Sequence, residues 1–512
     1  MRSEPVLVIG ATGYVGGRLV PRLLDAGYRV RAMGRSLAKL SSRPWATHPR
    51  VELVKGDVLD EESLGKAVQG CWAAFYLVHS MVSASRDFAE KDRRSAMNMV
   101  LTAARGGLER IIYLGGLGCT DDPKLSKHLR SRHEVARILH EGPVPATILR
   151  AAMILGSGSA SFEMLRYLVD RLPLMLTPTW VHTPVQPISI RNVLNYLHGC
   201  LERDETVGQT FDIGGPEVLT YESLIEMYAE VAGLPKRIII PLPWITPRLS
   251  SLWIHLITPI PASLAGPLTE GLLNKVVCAD NRIVSIIPQK LMDCRSTIRR
   301  ALEKIEQQKV EACWTDAGTL LPPEWVYCGD AEYAGGTIQE CGYRIVVGAE
   351  PEEIWEHIVR IGGKTGWYYG GPLWRIRGWL DRVLGGAGLR RGRRHPVQLY
   401  VGDALDFWRV MELAPPYRLL LLSEMKLPGE AVLEFKITPR RKGESELQQL
   451  SRFMPRGVTG ILYWNSLYIF HQLLFRGMLR TIARAVGAPL IRGPERFTPR
   501  MSLTCRIGSH KD

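Results

Sequence analysis

Fifteen residues close to the N-terminus constrain this chain more than any others: Val6-Leu7-Val8-Ile9-Gly10-Ala11-Thr12-Gly13-Tyr14-Val15-Gly16-Gly17-Arg18-Leu19-Val20. Four apolar residues, enough for a short buried strand, run into glycines spaced GxxGxxG and then into an amphipathic helical pattern. Each glycine has its own task. Gly10 permits the tight turn, Gly13 lets backbone approach a diphosphate, and Gly16 lets the helix sit close to the strand, with Thr12, Tyr14 and Val15 completing the turn. The diphosphate then rests on the positive end of the helix dipole. Glycines in this strand–turn–helix context predict a dinucleotide site.

The second strand decides which dinucleotide. A site for NAD places an acidic residue near its end to accept from the ribose 2′-hydroxyl. This chain has Arg31-Ala32-Met33-Gly34-Arg35-Ser36 there, with no carboxylate. Arg35, helped by Ser36 and by Arg31 or Lys39, suits a 2′-phosphate through bidentate contact, so NADP(H) is expected in preference to NAD(H). The plain alternative is a solvated surface arginine. Asp57 and Val58, in Lys55-Gly56-Asp57-Val58 after the third strand, are placed to meet the adenine.

With 512 residues, 46% hydrophobic and 23% charged, the chain has room for two or three ordinary globular domains. Strands are expected over 6–9, 29–33, 51–54, 73–78, 110–114, 146–150 and 210–213, with helices around 15–26, 61–69, 87–105, 126–140 and 161–171. That alternation predicts an α/β fold: an N-terminal Rossmann-like, doubly wound parallel sheet over 1–300. Within it, residues 250–273 are apolar enough to suggest a membrane span, but Pro259, Pro261 and Pro267 interrupt them, so a packed cap is expected. Residues 301–340 read as a linker, 341–490 as an α+β domain and 491–512 as a tail. The nine cysteines are scattered without a CxxC pair, so no metal site is expected and a reduced, cytoplasmic setting is. A strand follows so soon after Met1 that no signal peptide is expected.

Several further stretches sharpen the first domain. They are Gln186-Pro187-Ile188-Ser189-Ile190-Arg191-Asn192-Val193, and Gly208-Gln209-Thr210-Phe211-Asp212-Ile213-Gly214-Gly215-Pro216 followed by Leu219-Thr220-Tyr221. Together with the glycine turn and Gly56-Asp57-Val58, they make residues 5–240 resemble the atypical and extended branch of the short-chain dehydrogenase/reductase superfamily. That branch includes NmrA-like regulators and the nucleotide-binding accessory subunit of mitochondrial complex I. The resemblance implies a Ser–Tyr–Lys mechanism, with Tyr and Lys four residues apart on one helix and Ser after the preceding strand. Here that strand ends Tyr113-Leu114-Gly115-Gly116-Leu117-Gly118, with glycine where Ser is expected, and His128 and Arg132 stand at the Tyr and Lys positions. All three usual groups are absent. His128 can still offer a proton near neutrality, Arg132 can bind ribose hydroxyls, and His79 with Ser80 falls at the carboxyl end of the fourth strand, where such sheets bind ligands. The alternative for His128 is a structural or ribose-binding imidazole.

Beyond 340 the rhythm changes. A strand over 343–347 leads into a helix over 350–361 that opens Glu350-Pro351-Glu352-Glu353, and strands are expected near 404–410, 418–422, 431–437 and 447–453 before a long helix over 458–486. This order resembles the helix-grip fold of START-type (SRPBCC) domains, in particular the DUF2867 domain found fused behind such dehydrogenases; Val347-Gly348-Ala349-Glu350-Pro351 and Val401-Gly402-Asp403 carry the likeness. The resemblance implies a cavity for a lipophilic small molecule, the alternative being an ordinary packed core. Between the elements lies a stretch from Gly366-Trp367-Tyr368-Tyr369 through Trp374, Arg375, Arg377 and Trp379 to Arg390-Arg391-Gly392-Arg393-Arg394. It reads equally as a membrane interface, a loop over the cavity or an inter-domain face.

Charge is uneven: 36 Lys+Arg against 28 Asp+Glu over 1–300, 3 against 9 over 301–350, and 26 against 14 over 351–512. Peripheral contact with an anionic membrane is compatible with that excess, and no nucleic-acid reader motif accompanies it. The functional expectation is an NAD(P)H-dependent oxidoreductase acting on a lipophilic carbonyl, enone or quinone. The alternative is a non-catalytic NADPH-binding regulator or scaffold. Oligomeric state is left open.

Overall fold

The structure, a computed structural model, describes residues 2–78, 88–118, 125–242, 270–271, 273–306, 338–363, 365–384, 386–391, 393–455 and 457–497. Two compact units divide the chain, Met1–Thr319 and Leu320–Asp512.

The first unit is built on seven parallel strands: β1 (Val6–Ile9), β2 (Val30–Gly34), β3 (Val51–Lys55), β4 (Ala73–Tyr76), β5 (Arg110–Gly116), β6 (Ala146–Ala151) and β7 (Thr210–Ile213). Their order across the sheet is β7-β6-β5-β4-β1-β2-β3, every neighbouring pair parallel. The winding reverses between β1 and β4, which opens a crevice at the carboxyl ends of those two strands. Helices α1 (Gly16–Asp25), α2 (Leu37–Ser41), α3 (Glu61–Val68), α4 (Phe88–Arg105), α5 (Lys127–His140), α6 (Ala160–Arg171), α7 (Ile190–Glu202), α8 (Tyr221–Val231) and α9 (Cys294–Glu306) accompany it. Two apolar layers result. One joins β1 to α1 and α7 through Val6, Val8, Leu19, Leu23, Val193 and Leu197; the other packs α3, α4 and α5 against Leu7, Ile9, Tyr76 and Tyr113.

The second unit holds β8 (Gln339–Val347), α10 (Pro351–Ile358), α11 (Gly371–Val383), β9 (Ala404–Leu405), β10 (Trp408–Ala414), β11 (Arg418–Ser423), β12 (Gly429–Arg441), β13 (Glu444–Pro455), α12 (Gly457–Val486) and β14 (Leu490–Arg496). The strands form one antiparallel sheet, β9-β10-β11-β12-β13-β8-β14, with α12 packed on β8 and β13. Helix α10 starts as its sequence predicts: Pro351 opens it, and the Glu350 amide donates to Glu353 Oε2 at 2.9 Å in a capping box.

Three expectations need correction. Residues 404–410 are not one strand but a hairpin turning at Asp406 and Phe407, with Asp406 in the left-handed region at φ 55°. The aromatic and arginine-rich stretch contains a helix, α11. Residues 490–496, expected to belong mostly to the tail, add an edge strand to β8. The expected cap at 250–273 lies largely outside the described residues.

The space between sheet and α12 is taken up by side chains. Trp367 stacks on Phe407 with centroids 6.3 Å apart, and Phe453 stacks on Trp464 at 5.5 Å. Trp374, Trp408, Phe435 and Phe475 complete that buried cluster.

Candidate cofactor site and cleft

The turn between β1 and α1 is held largely by backbone hydrogen bonds. Gly10 N and Ala11 N both donate to Met33 O, at 3.3 and 3.2 Å, and Gly13 N donates to Gly10 O at 2.9 Å. Gly10 has φ +86°, and a β-carbon there would sit 3.0 Å from Leu77 O and from Val78 Cγ1. One at Gly13 would be 3.2 Å from Gly10 O, and one at Gly16 would overlap that same oxygen. The turn is thus a cradle that any side chain would fill, and its open side faces the first amides of α1. Val15 is half-buried against the apolar layer. Tyr14 turns aside from the cradle: its ring lies under the Arg18 guanidinium at 4.5 Å, and Arg18 Nη2 donates to Ser157 O at 2.8 Å.

Around the end of β2 the predicted residues divide. Arg35 is exposed. Ser36 caps α2, its Oγ accepting from Lys39 N at 3.4 Å. Arg31 is corrected: its Nε donates to Glu52 Oε2 at 2.8 Å and its Nη1 to Ala67 O at 2.9 Å, so it closes the end of α3 and is committed away from any phosphate. Sequence reasoning missed Arg43, just past α2, whose Nη2 donates to Thr12 O at 3.3 Å and so lies beside the turn. Asp57 Oδ1 accepts from Leu59 N at 3.0 Å, and Val58 O accepts from Asn98 Nδ2 at 2.9 Å, which fixes the loop after β3.

Arg132 is the most constrained side chain near the cleft. It lies on the buried stripe of α5, 5% exposed, one turn after the half-buried His128. Its Nη1 reaches Val78 O and the Tyr113 hydroxyl, each at 3.5 Å, and Val78 in turn abuts Gly10. Its Nη2 is buried and has no hydrogen-bond partner among the described residues. Burial opposes the charge, but Tyr113 and Asp92 outweigh it and hold the guanidinium above its ordinary range. Asp92, buried on α4, accepts from Ser131 Oγ at 3.0 Å. Tyr113 is the tyrosine this site does have, yet it is fully enclosed and burial pushes its pKa up, so it is not presented as an acid.

Gly116 stands where Ser is usual because α5 comes close: a β-carbon there would be 2.8 Å from Leu129 Cδ2. Beside it His133, also missed, is half-buried; burial and then the Arg150 charge lower its pKa, and its contact with the Gly116 backbone offsets them only in part. His79 and Ser80 lie outside the described residues.

The later motifs tie chain segments together. Gln186 Nε2 donates to Gly215 O at 2.8 Å while its Oε1 accepts from Cys278 N at 2.9 Å. Asp212 accepts from Arg150 Nε at 2.7 Å and from Ala279 N at 2.9 Å, and Asn192 Oδ1 accepts from Met292 N at 3.0 Å. These residues hold 278–292 against the sheet and are scaffold.

Residues 10–165 match a family model described as NAD(P)H-binding, and residues 340–478 match one described as a protein of unknown function, DUF2867. Alpha subcomplex subunit 9 of mitochondrial NADH dehydrogenase [ubiquinone] 1 from Arabidopsis thaliana is 24% identical over 303 residues, 56% of this chain and 74% of that protein. Dihydroflavonol 4-reductase from Hordeum vulgare is 32% identical over 124 residues, 22% of this chain and 35% of that enzyme. Among solved structures, triphenylmethane reductase of Citrobacter sp. complexed with NADP(H) is 18% identical, with 58% of this chain and 99% of that one covered and a TM-score of 0.48. The first unit thus combines a Rossmann-like parallel sheet with a match to an NAD(P)H-binding family, and the second carries the match to DUF2867.

Proposed function

We propose that the chain is an NADP(H)-dependent oxidoreductase whose substrate is a lipophilic carbonyl, enone or quinone. The observation that carries this reading is the buried Arg132 guanidinium near the glycine turn, with one nitrogen lacking a partner among the described residues. A buried charged donor left unmet costs several kcal/mol, roughly, unless a ligand oxygen completes it. A ribose hydroxyl at the crevice between β1 and β4 supplies that oxygen. The glycine cradle from Gly10 to Gly16 would hold the diphosphate, Arg35 and Arg43 the 2′-phosphate, and the loop at Asp57 and Val58 the adenine. The bound nicotinamide supplies or accepts a hydride. His128, one turn nearer the start of α5, would hold or release the accompanying proton at its imidazole, since neither the Gly116 position nor Tyr113 offers a hydroxyl to the cleft. The match of residues in this chain to part of a dihydroflavonol 4-reductase supports a reductase reading.

The test is a single turnover. The protein is loaded with NADPH, mixed with a panel of quinones and enones, and followed by nicotinamide absorbance beside His128→Phe. Oxidation that stops in the variant while NADPH stays bound supports an enzyme with His128 in a chemical role. Oxidation that persists removes His128 from the reaction. NADPH held tightly and never oxidised favours the second reading, a non-catalytic NADPH-binding regulator or scaffold. Two observations support that alternative: the missing Ser and Tyr hydroxyls, and the match along 74% of a subunit of an NADH dehydrogenase.

A further inference from the structure

Helix α11 is amphipathic with its apolar side outward. Trp374, Gly378 and Asp381 form its inner face, and the Asp381 carboxylate accepts from Gly388 N at 2.8 Å and Lys426 N at 2.7 Å. The opposite face carries Ile376, Trp379, Leu380 and Val383 and continues into Leu384, all between 48% and 67% exposed. A helix anchored at the surface of a water-soluble unit puts charge on that side. This one puts a tryptophan and aliphatics there.

The neighbouring helix extends the face. Arg377 of α11 donates to the Tyr463 hydroxyl of α12, and Gly370, just before α11, abuts Leu474, so the two helices touch at these points. Along α12, Leu462, Ile469, Phe470 and Leu473 are exposed in the same manner. Exposed apolar residues gathered over two adjoining helices mark a surface that meets something other than water.

Charge selects what it meets. Residues 371–384 and 457–486 contain six arginines and a single carboxylate, Asp381, which is turned inward. Arg375 flanks the apolar face of α11, and Arg476 and Arg480 are exposed further along α12. A second copy docking on this face would bring like-charged rims together across the two-fold axis. An anionic bilayer answers both features, since acyl chains take the apolar residues, headgroup phosphates take the arginines, and tryptophan favours the boundary between them. No described helix is long and apolar enough to cross a membrane.

We propose that the outer faces of α11 and α12 form a docking surface for an anionic phospholipid bilayer, with α11 lying in the plane of the interface. The attachment is peripheral and independent of cofactor use.

The experiment floats the full chain with vesicles of phosphatidylcholine alone or mixed with phosphatidylserine. Binding is expected to the mixed vesicles only and to weaken as salt rises. Trp379→Glu is expected to lower the partition coefficient about ten-fold or more, and Arg476→Glu about five-fold or more, following the attraction of about 1 kcal/mol for each basic residue near such a surface. Trp379 is exposed, so the melting temperature of its variant should hold; Arg476 lies over the Tyr343 ring at 5.3 Å, so Arg480→Glu replaces Arg476→Glu if the latter melts lower. If that of Trp379→Glu falls, Leu384→Glu at the end of the helix takes its place. The proposal is overturned if the wild-type chain stays with the aqueous fraction in both mixtures, or if binding survives these substitutions. It is overturned too by a lipid-free dimer that Trp379→Glu dissociates, which would assign the face to a second copy.

Discussion

A single methyl group at residue 16 tests the nucleotide turn. In Gly16→Ala the added β-carbon would overlap the Gly10 carbonyl oxygen and stand 2.9 Å from the Gly10 carbonyl carbon and 3.1 Å from the Ala11 α-carbon. All three are backbone atoms, so no side chain can swing away. The turn itself is pinned, because Gly10 and Ala11 donate to Met33 O and Gly10 O already accepts from Gly13 N. Helix α1 must therefore shift outward. Overpacking of this kind costs about 1–3 kcal/mol, and the better helix propensity of alanine returns at most about 1 kcal/mol in the first turn. A net loss of about 1–2 kcal/mol lowers the melting temperature of a unit this large by about 2–4 °C per kcal/mol. The shift also opens the cradle, so NADPH affinity should fall about ten-fold, or about 1.4 kcal/mol. Gly65→Ala in α3 is the control: its β-carbon would meet only Thr102 Cγ2, at 3.8 Å, and it should stabilise by about 0.5–1 kcal/mol. Thermal unfolding with and without NADPH, plus a fluorescence titration of the nucleotide, reads both effects. A Gly16→Ala protein that melts and binds NADPH like the wild type would refute the cradle.

Other outcomes follow from the same geometry. Arg35→Glu should cost about 1.5–3 kcal/mol of NADPH binding, roughly 10–100-fold, and leave NADH unaffected in parallel titrations; an unchanged preference would move the 2′-phosphate contact to Arg43. Arg132→Met removes the guanidinium from the Tyr113 hydroxyl and the Val78 carbonyl and should destabilise the first unit by about 1–3 kcal/mol in urea unfolding, so an equally stable variant contradicts the network. In the second unit two buried groups titrate against each other. Burial pushes the Asp406 carboxyl up from 3.8 to about 6 despite its bonds from Trp367 and Gly363, and pushes His471 down from 6.5 to about 4. For Asp406 the folded form prefers the proton, so stability present below pH 4 is lost as pH rises through 6, by about 3 kcal/mol. For His471 stability is present above pH 6.5 and lost as pH falls toward 4. The difference in stability between wild type and Asp406→Asn should therefore fall with rising pH, and that against His471→Gln should rise; two flat difference curves would remove both assignments.

The parallel sheet was almost wholly legible. Its strands are short apolar runs bounded by glycine or by capped helices, and the expected and observed ends differ by two residues at most. The antiparallel unit was less so. Helix α11 opens with Gly371-Pro372 and points its apolar side outward, so its pattern imitates an irregular aromatic stretch; β14 contains Gly493-Pro494, which reads as a tail rather than an edge. At the candidate site, spacing picks out the glycine turn, Arg35 and Arg132 as candidates. It does not pick out Arg43, and for Asp92 the signal is indirect: a carboxylate at helical spacing with Ser95, Ala96 and Met99 on the buried stripe of α4. Tyr113 was hidden because a tyrosine in a strand reads as core.

The tryptophans packed beneath α12 also bear on how such a fold changes over time. A sheet closed against a long helix is the shape of a vessel, and here Trp464 and Trp367 stand where contents would be. Trp464→Ala would vacate a volume lined by Phe453 and His471 at a cost of about 3–5 kcal/mol, and a largely apolar hole of that kind accepts small hydrophobic guests. Rigidity and receptivity are thus alternative uses of one interior, and few substitutions separate a solid domain from a receptor.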